Sequence, residues 1–416
     1  MSIYGVVDGL FISNFVGKTP FAAINLVMPV LMIMGTLGFM VGTGGSAIVS
    51  RTLGEGDRNR ANQYFSMLVE MTVCGGIALT VLGFILIRPI AFALGAEGEM
   101  LENCVLYGRI VLLALTAFLL QSVFQSFFVT AEKPGVGLAV TVIAGITNMV
   151  LDALFIAVFD WGVAGAATAT AISQIVGGGV PLIYFLKENS SLLHLVWAKP
   201  QKQILLKTCT NGSSELMSNV SSSLVSILYN FQLMRLSGED GVAAYGVIMY
   251  VNFIFIAIFL GYSIGSAPII SYHYGAKNHD ELKNLFRRSL LLVAVAGGVL
   301  TALAEAISLP LTGIFVGYDQ QLLSLTCRGF QLYSLSFLFC GLTLFGSGFF
   351  TALSDGATSA LISFLRVLVF EIVAVLVLPA LLGVDGIWLA IVVAEGMALV
   401  VTVWFFIRKQ GAYHYM

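Results

Sequence analysis

TVIAGITNMVLDALFIAVF, residues 141–159, is long and apolar enough to cross a bilayer, yet it carries Asn148 and Asp152. Four residues apart, the two share one face of a helix, one turn from each other. An aspartate near the centre of a spanning helix costs about 2.5–3.5 kcal/mol on insertion scales. A chain keeps such a residue when the acid binds or carries an ion, or when it pins neighbouring helices by hydrogen bonds. The first role is the default expectation for an intramembrane acid.

The composition agrees with a membrane setting. Hydrophobic residues make up 58% of the 416 and charged residues only 10%, against roughly 25% charged in a soluble domain. No basic patch is interleaved with aromatics, which argues against nucleic acid as a partner. Cys74, Cys104, Cys209, Cys327 and Cys340 lie scattered in apolar runs without a CxxC pair. They read as small core hydrophobes. No cleavable signal peptide is visible at the amino terminus.

A spanning helix needs about 20 mostly apolar residues. Eleven runs meet that need: Phe21–Val49, Tyr64–Ile87, Cys104–Val129, Gly137–Phe159, Ala164–Phe185, Leu205–Phe231, Val242–Tyr272, Ser289–Ile307, Gly329–Phe350, Ala360–Leu382 and Ile387–Ile407. A short run ahead of them, Met1–Phe15, holds Asp8. The expectation is an all-α polytopic membrane protein of twelve transmembrane helices. The polar stretch KENSSLLHLVWAKPQKQ, residues 187–203, separates six from six. The lobes are then 1–187 and 204–416, joined by a cytoplasmic linker at 188–203.

The two halves repeat. A shift of 221 sets Gly44 on Gly265, Pro89 on Pro310, Gly108 on Gly329, Thr130 on Thr351 and Gly162 on Gly383, without a gap. Glycine and proline mark bends and close approaches, so their recurrence implies the same backbone twice. Each half has an even number of helices, so both enter the membrane in the same sense. Parallel repeats of this kind are expected of alternating-access transporters. The same shift makes the first helix 19 residues shorter than its partner, which begins near Gln203. The expectation is that Met1 is an internal methionine of a longer chain. Fourteen Lys and Arg fall in alternate loops and at the termini, against five on the opposite side. By the positive-inside rule the linker and both termini are cytoplasmic.

The residues able to carry chemistry are the intramembrane acids. Asp8, Asn148 and Asp152 stand opposite Tyr229, Val369 and Val373 at the 221 shift, so this polar trio belongs to the first half alone. Two carboxylates and an amide can load and release a proton, because burial and a nearby like charge both favour a protonated acid. They can also hold sodium, with Thr170 as a further hard oxygen. Gln121 and Gln125 on the fourth span could line the same cavity or bond between helices. In the second half Glu215 and Glu371 could meet a substrate cation or a basic residue; Arg366 is five residues before Glu371. GYSIG, residues 261–265, matches the serine-hydrolase string but lies inside a helix, without the strand-to-helix turn it needs.

VVDGLFISNFVG (6–17), ITNMVLDALFI (146–156) and GVAGAATATAISQ (162–174), together with the helix count and the repeat, resemble the multidrug and toxic compound extrusion (MATE) transporters. The resemblance implies two bundles around a central cavity that opens alternately to each face. Export of drugs and organic cations is then driven by inward flow of Na+ or H+, without any cofactor. It implies an amino-lobe cation site at Asp8, Asn148 and Asp152, with Thr170 beside them. The sodium-driven branch with a carboxy-lobe site uses an acid on its tenth helix, and GFQLYSLSFLFCGLTLFGSGFF has none. The expected setting is the cytoplasmic membrane, as a monomer among lipids. A lipid-linked oligosaccharide flippase of the same superfamily is the alternative, but it would favour a membrane core rich in Arg and Lys. An intramembrane enzyme would need a nucleophile–base pair or paired acidic metal motifs, and neither is found.

Overall fold

The computed structural model describes residue 16 and residues 18–416, apart from 95, 188 and 318. Among them all regular structure is helical. The chain divides into two compact units, one ending at Cys209 and the other spanning Thr210–Met416. In the first unit α1 (Lys18–Gly54), α2 (Arg58–Ala93), α3 (Gly98–Leu113), α4 (Leu115–Thr130) and α5 (Pro134–Asp152) are followed by a π-helical segment, Ala153–Val158, and α6 (Gly162–Leu186). The linker is tied to α2: Arg58 donates to the carbonyls of Ser191 and Leu192, and the Asn62 and Ser66 side chains accept from the backbone of His194 and Val196. After it α7 (Lys202–Asn211) straddles the unit boundary. The second unit holds α8 (Ser213–Gly275), α9 (His279–Val316), α10 (Gln320–Ser334), α11 (Phe337–Ala352), α12 (Gly356–Ser363), a π-helical segment Phe364–Phe370, α13 (Glu371–Leu382) and α14 (Val384–Tyr413).

Eight of these stretches are long and apolar enough to span a membrane, and the bent pairs α3/α4 and α10/α11, at 54° and 48°, raise the number to ten. Helix α8 breaks at Gly238, which adopts φ 63° and ψ −148°, a conformation open to glycine. Its part from Asp240 is among the eight. The part before Gly238 corresponds to the seventh expected span, but its serines, asparagines and Glu215 make it too polar to qualify by apolarity. The first expected span, with Asp8, lies outside the described residues. Two of the five cysteines, Cys74 and Cys209, are exposed, so only Cys104 and Cys340 behave as the core residues expected of all five.

The repeat is visible in the backbone. Asp57 and its repeat partner Asn278 both cap the next helix, accepting from Arg60 and Glu281. Gly108 packs on Ile87 and Val27, and Gly329 on Trp388 and Ile248. Gly162 and Gly383 both have positive φ, 53° and 61°. The register between the halves is not constant, however. The α3/α4 break holds one residue, Ala114, whereas the α10/α11 break holds two, Leu335 and Ser336. Past the break equivalent positions lie 222 apart: Lys133 donates to the Phe128 carbonyl and Asp355 to that of Phe350. The π segment 364–370 then adds one more residue. At the far end Gly165 lies against Phe155, and Gly386 against Leu378, a separation of 223 for the partners. A π turn accommodates one residue beyond an α turn, which accounts for the second step.

In the first unit α4 and α6 approach at glycines. A Cβ on Gly178 would strike the Ala117 carbonyl, and one on Gly177 the Gln121 side chain. Backbone cannot yield as a side-chain tip can, so Gly178→Ala is expected to cost about 1–3 kcal/mol, read as a lower thermal midpoint of the purified protein. Gly179→Ala, with open space around it, is the silent control.

In the second unit Asp355 caps α12. It accepts from the Thr358 backbone and hydroxyl at 3.2 and 2.8 Å, and from Lys409 at 3.0 Å. Burial alone would raise this carboxyl, but the bonds from Lys409 and Thr358 prevail and hold it below the ordinary carboxylate range. A depressed folded-state value contributes stability above the unfolded value and loses it as pH falls through the folded one. Wild type is therefore expected to exceed Lys409→Ala by on the order of 1 kcal/mol at neutral pH. That gap should close as the pH drops below the usual carboxylate range, as followed by thermal unfolding over a pH series.

Candidate functional site

Helix α5 buries one stripe: Val140, Ala144, Gly145, Asn148 and Asp152. The two polar residues are its most enclosed side chains, Asn148 at 1% exposure and Asp152 at 0%. Its outer face, with Leu138, Val142, Ile146 and Val150, is exposed and apolar, as a lipid-facing surface should be. The stripe continues past Asp152 into the π segment, where Ile156 is buried.

Helix α6 runs back along α5. Gly165 lies against Phe155, and both chains rise about 1.5 Å per residue. Counting equal steps from that contact sets Thr170 level with Val150, between Asn148 and Asp152. Thr170 is buried, and its carbonyl accepts from the Ser173 hydroxyl at 2.8 Å. One turn on, Gln174 comes level with Ile146. The Oδ1 of Asn148 and the Oε1 of Gln174 are both enclosed and accept no hydrogen bond among the described residues. An enclosed amide oxygen without a donor costs about 1–3 kcal/mol, and a cation is what such an oxygen can take. Gln174 is not among the candidates drawn from sequence; its place four residues after Thr170 on a small-residue helix is the signal that marks it.

Of the other first-half candidates, Gln121 is buried against Gly177 of α6, and Gln125, one turn further along α4, is half-buried. Among the described residues no group of three or more His, Cys, Asp or Glu could hold a metal ion.

The second unit gathers its charges around Arg366. Arg366 pairs with Glu395 at 2.7 Å, its side chain 11% and that of Glu395 2% exposed. The Thr343 hydroxyl donates to the other Glu395 oxygen at 2.6 Å, and Arg366 also reaches the Cys340 sulfur at 3.7 Å. Glu371 lies within electrostatic reach of both members of the pair and beside Tyr229. Glu215 is within reach of Arg366. Register explains the arrangement. Along α5 and its counterpart the offset passes from 222 to 223 across the π segment, so Ala144 corresponds to Arg366, Asn148 to Glu371 and Asp152 to Val375. Along α6 and α14 it is 221, as Gly162 and Gly383 require, so Gln174 corresponds to Glu395. The polar stripe of the first unit is thus not peculiar to it, as the ungapped alignment implied. Asn148 and Gln174 have acidic counterparts.

Two repeated sets of spanning helices, each enclosing polar side chains between its members, define a polytopic membrane transporter by class. A family model described as MatE matches residues 1–154 and 216–377. The chain belongs to this family, the multidrug and toxic compound extrusion transporters. It is similar to the multidrug export protein MepA of Staphylococcus saprophyticus, 25% identical over 400 residues that cover 94% of this chain and 86% of that protein. MepA of Staphylococcus aureus is likewise 25% identical over 400 residues, covering 95% and 87%. Among solved structures, a MATE protein in complex with MaL6 superposes with a TM-score of 0.95 at 20% identity, covering 100% of this chain and 93% of that one. An outward-facing multidrug resistance MATE family transporter gives 0.94, also at 20% identity and with the same coverage. These two likenesses speak for the fold.

Proposed function

We propose that the protein is a secondary active multidrug exporter that exchanges amphipathic, often cationic compounds for Na+ or H+ by alternating access. The observation that carries this reading is the enclosed face of α5, where Asn148 and Asp152 meet the level of Thr170 and Gln174 on α6. The family and the naming of the MepA relatives support export of many drugs. In this reading Asp152 carries the coupling ion's charge, and the amide oxygens and Thr170 give it a dry polar setting. Asp8, outside the described residues, completes the site. The protein works as a monomer in the cytoplasmic membrane, with both termini inside.

Efflux of a fluorescent cationic dye from an efflux-deficient bacterium, or from vesicles with an imposed sodium or proton gradient, tests the reading. Dye export that follows one gradient and collapses with it is expected. Export indifferent to both gradients, or flipping of lipid-linked sugars without dye export, would sink it.

A further inference from the structure

The counterpart of the amino-terminal stripe in the second unit carries charge where the first carries amides. Glu371 stands at the station of Asn148, Glu395 at that of Gln174, and Arg366 at that of Ala144. The wider turn of the π segment Phe364–Phe370, which ends where the Glu371 N–H donates to the Leu368 carbonyl, brings Arg366 and Glu371, five apart, nearer to one face. In an α-helix they would diverge by about 140° at 3.6 residues per turn. The side chains around them are enclosed: Glu395 at 1%, Tyr229 at 1%, Tyr245 and Tyr333 at 6%. Arg366 is committed to Glu395 at 2.7 Å, and Glu395 also holds the Thr343 hydroxyl. Among the described residues Glu371 makes no such direct ion pair, and the Tyr229 hydroxyl lies beside it. That hydroxyl forms no hydrogen bond of ordinary geometry among the described residues. Arg366 thus bonds to Glu395 while half-buried Glu371, like Glu215, lies within its electrostatic reach, so carboxylates outnumber the guanidinium.

We propose that Glu371 is a proton-binding site of the carboxy-terminal unit, and that Arg366 couples its state to Glu395 by being shared between the two carboxylates. With Glu371 protonated, Arg366 and Glu395 form a closed pair. With Glu371 ionised, the guanidinium is drawn between two acids and the pair loosens.

Three features select a proton over a larger cation. The position of Asp152 is taken by Val375, and the nearby carboxylate of Glu395 is already engaged by Arg366 and Thr343 and is not offered to sodium. The Arg366 guanidinium sits one turn away and repels a metal ion held as a point charge. Tyr229, beside Glu371, is buried and stacks on Tyr245 at 5.0 Å and 8°, so a bulky organic cation would have to displace a packed ring pair. The charged and titratable groups facing Glu371 are Arg366, Glu395, Tyr229, Tyr245, Tyr333 and Cys340. Glu215 lies within reach of the same guanidinium.

Infrared difference spectra of the purified full chain between high and low pH test the proposal without any transport step, so the outcome is independent of the export reading. A protonated-carboxyl band is expected in wild type, lost in Glu371→Gln and kept in Asp152→Asn. Glu395→Gln, which keeps an acceptor for Thr343, removes the like charge and frees Arg366. It should move the band's midpoint down by about one pH unit or more, which a merely structural Glu395 would not do. Should Glu371→Gln fail to fold, Tyr229→Phe keeps the carboxyl, removes its hydroxyl neighbour and is expected to shift the band's frequency. Full retention of every pH-dependent carboxyl band in Glu371→Gln, an unshifted band in Tyr229→Phe, or displacement of the band by sodium at constant pH would each overturn the proposal.

Discussion

Replacing Asp152 by asparagine is expected to reduce gradient-driven dye efflux by roughly two orders of magnitude, about 2.7 kcal/mol at 1.36 kcal/mol per decade. Asparagine has nearly the same shape, so packing against α6 is kept, and the protein should reach the membrane in normal amount. What disappears is the charge, in a position with 0% exposure. In the proposed reading a coupling ion there would be held by Coulomb attraction in a low-dielectric setting, where loss of one unit charge is felt most. Asn148→Ala and Gln174→Ala remove neutral oxygens that accept no hydrogen bond among the described residues, and should weaken coupling less. Gln174→Ala, unpredicted from sequence, is the more informative of the two. Undiminished efflux in Asp152→Asn, with normal expression, would reject the assignment of the ion to α5.

Removal of Arg366 is expected to be the most destabilising single change in the second unit. Breaking a buried pair leaves an uncompensated charge and typically costs about 3–5 kcal/mol. Arg366→Ala strands Glu395, 2% exposed in the pair, with Glu371 nearby adding like-charge repulsion. Glu395→Ala should cost less, because Arg366 then still has Glu371 within reach. The paired replacement Arg366→Met with Glu395→Met removes both charges and should recover much of the loss. Thermal unfolding in detergent, monitored by size-exclusion recovery, gives the order directly. If Arg366→Ala proves no worse than Glu395→Ala, then Glu371 is not the second partner of the guanidinium.

The helical fold is legible in the sequence because lipid imposes a simple rule: runs of about 20 apolar residues, interrupted where the chain turns. The matching glycines and prolines of the two halves are legible for the same reason, since few residues can replace them. Asn148 and Asp152 stand out because polarity inside such a run is costly, and the structure encloses them. The seventh span is harder, since NGSSELMSNVSSS dilutes its apolar signal. The Arg366–Glu395 pair could not be read at all. It joins residues 29 apart on different helices, and which side chains meet depends on rotation of each helix about its axis. FLRVLVF (364–370) reads as ordinary apolar helix, and nothing in its composition announces a π turn.

That π turn has a consequence for ancestry. If the halves descend from one duplicated bundle, the copies diverged by gain and loss of residues as well as by exchange of them, each now carrying a π segment of its own. One extra residue at Leu335–Ser336 and another within 364–370 leave the ends of the span in place and turn what lies between. An inserted residue rotates everything downstream by about 100° until it is absorbed, so a position that once faced lipid can come to face the interior without being substituted. Deleting one residue from 364–370 would run that history backwards. It would restore an α turn and swing Glu371 away from Arg366 and Tyr229. Comparison of such duplicated transporters by ungapped alignment will therefore place inherited sites one or two residues from where they now stand.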